Sequence, residues 1–250
     1  MFRFNLILLS VIASLSIQAQ ELLRPITQLI DQKNTGWKDV QQMIKTAKNK
    51  VEVLPSDSTK AKATLYATQV TSRSPMGGIV LNTGGLLIAK GWIRILGSGS
   101  SKLNRSLPAW NTGKSMHKPG EAPSFLLVAD DVVGGFFAIN GGALGQDTGK
   151  VYYMSPSSLE WEELADSYTD FLSFCFNDNL ATFYEDLGWK ALEQEAKELS
   201  GDKVFNFVPP LWSKQGKDIS KSQRAAVPIE EQYQYNQQMR KQLNLNNNAQ

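Results

Sequence analysis

The sequence predicts an α+β fold, with a mixed, mostly antiparallel sheet, helices packed on it, and an α-helical N-terminal segment. Three observations predict this class. Apolar residues recur at helical spacing through residues 22–70. Short β-rich runs separated by glycines follow within residues 79–212. A well-marked amphipathic helix comes after a series of these runs, and parallel βαβ units are missing around the glycine turns between them.

The first 19 residues are typical of an export signal. Arg3 supplies a short positive region, residues 4–17 form an apolar stretch, and Ala19 offers a small residue at the cleavage site. The apolar stretch is shorter than the roughly 20 residues that a bilayer crossing needs. We therefore expect cleavage, no stable membrane insertion afterwards, and a periplasmic or secreted protein.

The remaining chain of about 230 residues suits one large domain or two small ones. We predict a single domain over residues 20–228, followed by a Gln/Asn-rich C-terminal tail over residues 229–250. A net charge of +2 is not the clustered basic surface of a nucleic-acid binder, so we expect no nucleic-acid partner. Cys175 is the only cysteine and is flanked by aromatic residues, which favours a buried structural role.

The elements are predicted in chain order from periodicity and punctuation. Helices are expected over 22–30, 37–47 and from the capping sequence at 55–58 to 68, and later over 168–176, 180–187, 189–199 and 229–243. Strands are expected over 79–81, 86–89, 92–96, 125–129, 134–139, 151–154, 159–164 and 204–208. Residues 97–123 form a long polar loop, and because such loops are uncommon in compact domains we expect a binding surface there.

Several patterns suggest chemistry without completing a site. Residues 97–102 contain glycines and a lysine but lack the spacing of a phosphate-binding loop, and we interpret them as a turn. His117 is the only histidine, and the cysteines that a zinc site would need are absent. The chain also has no G-x-S-x-G elbow for a hydrolase built on His117. We therefore predict no catalytic constellation, no metal site and no cofactor.

Two carboxylates at the end of a buried strand leave an alternative open. Asp130 and Asp131 could act as acid and base or bind a cation. Adjacent residues of a strand point to opposite faces, however, so the pair cannot converge without a bulge. We favour a turn or capping role, and keep an envelope-acting hydrolase using Asp130 or Asp131 as an alternative.

The most promising residues for binding lie in and beside the long loop. Arg94 and Arg105 could clamp an anion, although ion-paired arginines are the simpler interpretation. Trp110 lies in the loop, where an exposed tryptophan beside Arg105 would serve as an interface anchor. With His117, and with Asp131 nearby if the strands pair as expected, these five residues form the predicted partner-binding set.

Residues 130–172 resemble the central motif of the SUKH superfamily, which includes bacterial toxin-immunity proteins. The shared pattern is a glycine-rich strand pair, then G-x-V-Y-Y at 149–153, W-x-x-L at 161–164 and S-Y-x-D-F-L at 167–172. The chain as a whole is still more similar to a bacterial family known only as a domain of unknown function. That second likeness extends from residue 68 to residue 212.

The SUKH resemblance implies a mixed sheet with helices packed on it, used as a protein-binding surface rather than an active site. Immunity members of the superfamily are generally cytoplasmic, so an exported member would meet a different partner in the envelope. The predicted function is thus that of an exported, non-enzymatic, immunity-like protein-binding module. A small-ligand carrier, which would need an enclosed apolar pocket between sheet and helices, is a further alternative beside the hydrolase.

Overall fold

The computed structural model describes residues 23–245, and the predicted export signal and the last five residues lie outside this range. Seven strands form one antiparallel sheet in which the spatial order equals the chain order. These strands are β1 (Val51–Leu54), β2 (Gly85–Ile88), β3 (Ile93–Leu96), β4 (Phe125–Asp131), β5 (Phe136–Asn140), β6 (Val151–Met154) and β7 (Trp161–Ala165). Two further strands, β8 (Lys203–Val208) and β9 (Gln223–Pro228), form a separate antiparallel pair.

The α-helices of the described range lie before, between and after these strands. They are α1 (Ile26–Leu29), α2 (Gly36–Thr46), α3 (Ser58–Thr68), α4 (Pro75–Asn82), α5 (Leu107–Asn111), α6 (Tyr168–Asn177), α7 (Leu180–Phe183), α8 (Leu192–Glu198) and α9 (Ile229–Gln242). Together the helices and the antiparallel sheet confirm the predicted α+β class. None of the helices between residues 23 and 245 is long and apolar enough to cross a bilayer.

One predicted strand is wrong. Residues 79–81 lie in helix α4, which Ser74 caps by accepting a hydrogen bond from the Gly77 N–H. The lack of a side chain at Gly78 allows α4 to approach α2, because a Cβ there would lie 2.5 Å from the Trp37 backbone nitrogen. The run of Ile, Val and Leu after paired glycines suggests a strand, but the cap and this close packing favour a helix. Strands β1 and β9 were not predicted, and neither was helix α5, which lies inside the segment expected to be a loop.

The sheet register places the two carboxylates of β4 on opposite faces. Asp130 lies opposite Arg94 of β3, whereas Asp131 lies opposite Ile93. The bulge in β4 lies earlier, between Leu127 and Ala129, and does not bring the carboxylates together. The expectation that they do not converge is confirmed.

Helix α9 packs on the core although its composition is polar. Tyr233, Asn236 and Arg240 are buried, and the Asn236 amide donates to the carbonyl oxygen of Gly134. Arg240 donates a further hydrogen bond to the Leu159 carbonyl. The Gln/Asn-rich segment therefore contributes to the packed structure up to the end of this helix.

Candidate functional site

The centre of the candidate site is a buried ion pair between neighbouring strands. Arg94 of β3 is 1% exposed and Asp130 of β4 is fully buried. The Arg94 Nε donates to Asp130 Oδ1 at 2.5 Å, and its two terminal nitrogens donate to the backbone carbonyls of Asp131 and Lys203. Because every nitrogen of the guanidinium has a partner, the buried charge is compensated.

A second arginine connects the long loop to this pair. Arg105 donates through Nη1 to Asp130 Oδ2 at 2.7 Å and through Nε to Asp202 Oδ1 at 3.0 Å. Its Nη2 donates to the carbonyl oxygen of Gly201 at 2.8 Å. We call Arg94, Asp130, Arg105 and Asp202 the arginine–aspartate network. It fixes the loop against both the sheet and the turn before β8.

Trp110 lies against the network in α5, which Ser106 caps. The guanidinium carbon of Arg105 is 4.6 Å from the centre of the indole, and Lys114 Nζ is 4.1 Å from it. Tyr233 of α9 meets the ring edge-on at 5.9 Å, so that only 3% of Trp110 is exposed. The expectation of an exposed tryptophan is therefore wrong, because the C-terminal helix covers it.

Asp131 organises the turn between β4 and β5. Its Oδ1 accepts hydrogen bonds from the backbone N–H groups of Val133 and Gly135 at 3.0 and 2.8 Å. Its Oδ2 accepts from the hydroxyls of Tyr153 and Tyr184 at 2.8 and 3.0 Å. Burial raises the pKa of Asp131, and these donors oppose the effect only in part. The turn role predicted for both carboxylates is found at Asp131, whereas it is wrong for Asp130, which forms the buried ion pair.

The raised pKa makes a prediction for the variant Asp131→Asn. The folded state binds the Asp131 proton more tightly than the unfolded chain, so the stability from this group is greatest below the unfolded-state pKa and falls as pH rises through the folded-state pKa. The stability advantage of the wild type over the variant should shrink from about pH 4 upward. Urea unfolding of both proteins across this range measures it. An advantage that grew with pH would show that the four donors outweigh burial.

His117 lies apart from the other predicted residues. It is exposed, and its backbone N–H donates to Glu121 Oε2 at 2.7 Å. No hydrogen bond or ion pair within residues 23–245 joins its side chain to the arginine–aspartate network. The fold thus brings together four of the five predicted residues, namely Arg94, Arg105, Trp110 and Asp131.

Sequence reasoning missed several members of this site. Asp202 and Lys114 contact Arg105 and Trp110, respectively, but nothing in their local sequence indicates those contacts. The two tyrosines that bind Asp131 carried a partial signal, because both fall in predicted apolar elements where a hydroxyl needs a partner. The contacts themselves depend on pairing between distant segments.

A surface depression of about 400 Å³ opens beside the network, and we call it the mouth. Arg105 and Trp110 form its base, and Asp202 lies at its side. The remaining lining residues are Asn104, Ala109, Pro228, Ile229 and Glu230. Lys114 pairs with Glu230 at 2.7 Å, so a fixed cation and anion lie beside the aromatic base.

The two alternative functions, a hydrolase and a small-ligand carrier, have little structural support. Asp130 and Asp131 are both fully buried and bonded within the protein, so no observation favours a hydrolase that uses them. An apolar depression of about 330 Å³ is lined by residues that include Met76, Leu126 and Tyr168, but it opens on the surface instead of being enclosed. Among residues 23–245, no group of three His, Cys, Asp or Glu side chains is placed to hold a metal ion.

Comparison with known proteins gives a consistent family assignment. A Haemophilus influenzae protein described as uncharacterized is 43% identical over 214 residues, which cover 86% of this chain and 94% of the relative. The Escherichia coli K12 protein YbfG, also described as uncharacterized, is 40% identical over 195 residues, which cover 76% of this chain and 86% of the relative. The family model described as protein of unknown function DUF2625 matches residues 26–232. The chain therefore belongs to the DUF2625 family, as the predicted likeness to a family of unknown function implied.

Proposed function

We propose that this chain is an exported, non-enzymatic protein-binding module of the immunity-like kind, and that its partner docks at the mouth. The observation that carries the proposal is the base of this depression. A tryptophan and an arginine lie side by side there, and both are held in place by buried partners. Because Trp110 is almost fully buried, the two side chains act as a rigid support, and exposed lining residues such as Asn104 and Ala109 are the groups that a partner contacts.

The base of the mouth is preorganised for binding. All three guanidinium nitrogens of Arg105 have acceptors within the protein, and the indole of Trp110 is enclosed by rings on two sides. A partner that docks there orders few additional side chains, which lowers the entropic cost of association. Glu230, which Lys114 holds in place from behind, supplies a charged rim group that fixes orientation.

The five predicted residues take different roles in this proposal. Trp110 is almost fully buried and the Arg105 side chain is only 11% exposed, so these two residues support the floor of the mouth. Arg94 and Asp131 are positioning residues that hold the strands and turn behind them. His117 is proposed as an outlying contact, because it is exposed on the same loop.

Two further arguments support the proposal. The resemblance of residues 130–172 to the SUKH motif implies a sheet that presents a protein-binding surface. The signal-like residues 1–19 favour export, and an exported module would meet its partner in the envelope or outside the cell. Burial of Asp130 and Asp131 also leaves the competing hydrolase without an accessible acid or base.

A variant in which a bulky side chain fills the mouth tests the proposal. Ala109 is an exposed lining residue, and Ala109→Arg places a long charged side chain in the depression without removing a core contact. Tagged protein recovered from the periplasmic fraction should lack residues 1–19 by mass, and cross-linking there should yield one specific protein that the variant loses. The matched control is Ala181→Arg, an exposed position on α7 outside the mouth.

Three outcomes would contradict the proposal. Retention of the first 19 residues in a cytoplasmic product would overturn export. Failure to recover a specific partner, or equal recovery with Ala109→Arg and with the wild type, would overturn binding at the mouth.

A further inference from the structure

We infer that a second surface, which we call the lysine groove, binds an acidic segment of a partner protein. The groove has a volume of about 580 Å³ and lies between the β1–β3 end of the large sheet and helix α8. Its charged rim consists mainly of Lys50, Lys90, Lys102 and Lys197. A volume of this size lies within the range of specific ligand sites.

The four lysines come from four different parts of the chain. Lys50 immediately precedes β1, Lys90 lies in the tight turn after β2, Lys102 belongs to the long loop, and Lys197 lies on α8. Folding therefore concentrates positive charge that the sequence disperses, in a chain whose net charge is only +2. A local cluster of this kind attracts anionic ligands even though the net charge of the whole protein is small.

Two of these lysines are neutralised and two are not. Lys90 pairs with Glu193 at 2.5 Å, and Lys102 pairs with Glu52. The side chains of Lys50 and Lys197 have no hydrogen-bond or ion-pair partner within the described part of the chain. Among the described residues that line the groove, Glu52 is the only acidic one, so the site keeps two uncompensated positive charges.

The floor of the groove distinguishes between anionic ligands. Leu87 and Leu199 are partly buried aliphatic residues there, and none of the lining residues between positions 23 and 245 is aromatic. Single-stranded nucleic acid uses aromatic side chains as stacking platforms, so the lining does not favour it. A peptide with carboxylates for Lys50 and Lys197 and aliphatic side chains for the floor matches both features. The inference takes from the proposed function only that the partner is a protein.

The test uses a fluorescein-labelled hexapeptide of glutamate, aspartate and leucine, and measures binding by fluorescence anisotropy at low and at physiological salt. The wild-type protein should bind it, more weakly at higher salt because exposed charges are screened. The double variant Lys50→Glu/Lys197→Glu should bind about tenfold more weakly, since it loses two attractions of salt-bridge size and gains two repulsions. A peptide with glutamine and asparagine in place of the acids should not bind.

The matched control is Lys62→Glu/Lys217→Glu, which changes the net charge equally at exposed positions outside the groove. It should bind as the wild type does. Absence of peptide binding, or an equal loss in both double variants, would overturn the inference. So would tighter binding of an oligonucleotide of equal charge that the Lys50/Lys197 variant loses, because the ligand would then not be a protein.

The proposal for the groove and the proposal for the mouth can be contradicted independently of each other. Peptide binding without any recovered envelope partner would leave the groove supported and the proposed function overturned. A partner lost with Ala109→Arg, together with no peptide binding, would leave the mouth supported and the groove overturned.

Discussion

Replacing Asp130 by alanine should lower the free energy of unfolding by about 3–5 kcal/mol, the usual cost of breaking a buried ion pair by removing one partner. Asp130 is fully buried and accepts hydrogen bonds from both Arg94 and Arg105. Its loss would leave two guanidinium groups without their shared counter-charge, one with a side chain only 2% exposed and the other 11% exposed. Urea unfolding, followed by circular dichroism, measures the change.

Asp202→Ala is the matched control for this prediction. Asp202 binds the same Arg105, but its side chain is 31% exposed, so water can replace it. We expect a loss of about 1 kcal/mol or less. If the two variants were equally stable, the stability would not depend on the enclosure of Asp130, and the network would be no stronger than a surface ion pair.

Replacing Trp110 by alanine should cost about 3–5 kcal/mol, as for other large aromatic residues in a packed core. The indole contacts Phe136 and Tyr233 and supports the side chains of Arg105 and Lys114. Removing the indole would therefore leave a cavity at the junction of α5, β5 and α9. The same unfolding measurement detects it.

The control for Trp110 is Trp161→Ala. Trp161 lies on the edge strand β7 and is only partly buried, so its removal should cost less than half as much. A smaller loss at Trp110 than at Trp161 would mean that helix α9 does not enclose the indole in solution. Because Trp110→Ala disturbs the core, a loss of binding in that variant would not by itself identify a contact, and for this reason the mouth is tested at Ala109.

Much of the fold follows from local patterns. The strong helical spacing of residues 168–176 and the continuous apolar run of residues 125–129 both predicted elements that the structure contains, because periodicity and burial act over a few residues. The strand prediction for residues 79–81 was wrong because their apolar run fits a strand and a buried helix equally well. The capping hydroxyl of Ser74 and the contact of Gly78 with α2 decided between them.

The candidate site was predicted only in part, for a similar reason. Strand pairing was enough to expect Arg94 and Asp131 beside the long loop. The register that sets Arg94 opposite Asp130, and the hydrogen bond from the Arg94 guanidinium to the Asp131 carbonyl, were not predicted. The burial of Trp110 depends on Tyr233, more than a hundred residues later in a segment whose composition resembles a tail. No local signal indicates such a contact.

The sequence by itself determined the α+β class, the order of most elements, the family and the expectation of export, because these depend on short-range pattern and on similarity along the chain. The tertiary structure alone decided which charges are neutralised. It buries Asp130 between two arginines and leaves Lys50 and Lys197 facing an open groove. The physical reason is that the strength of an electrostatic interaction depends on distance and on exclusion of water, and folding sets both by joining residues that the sequence keeps apart.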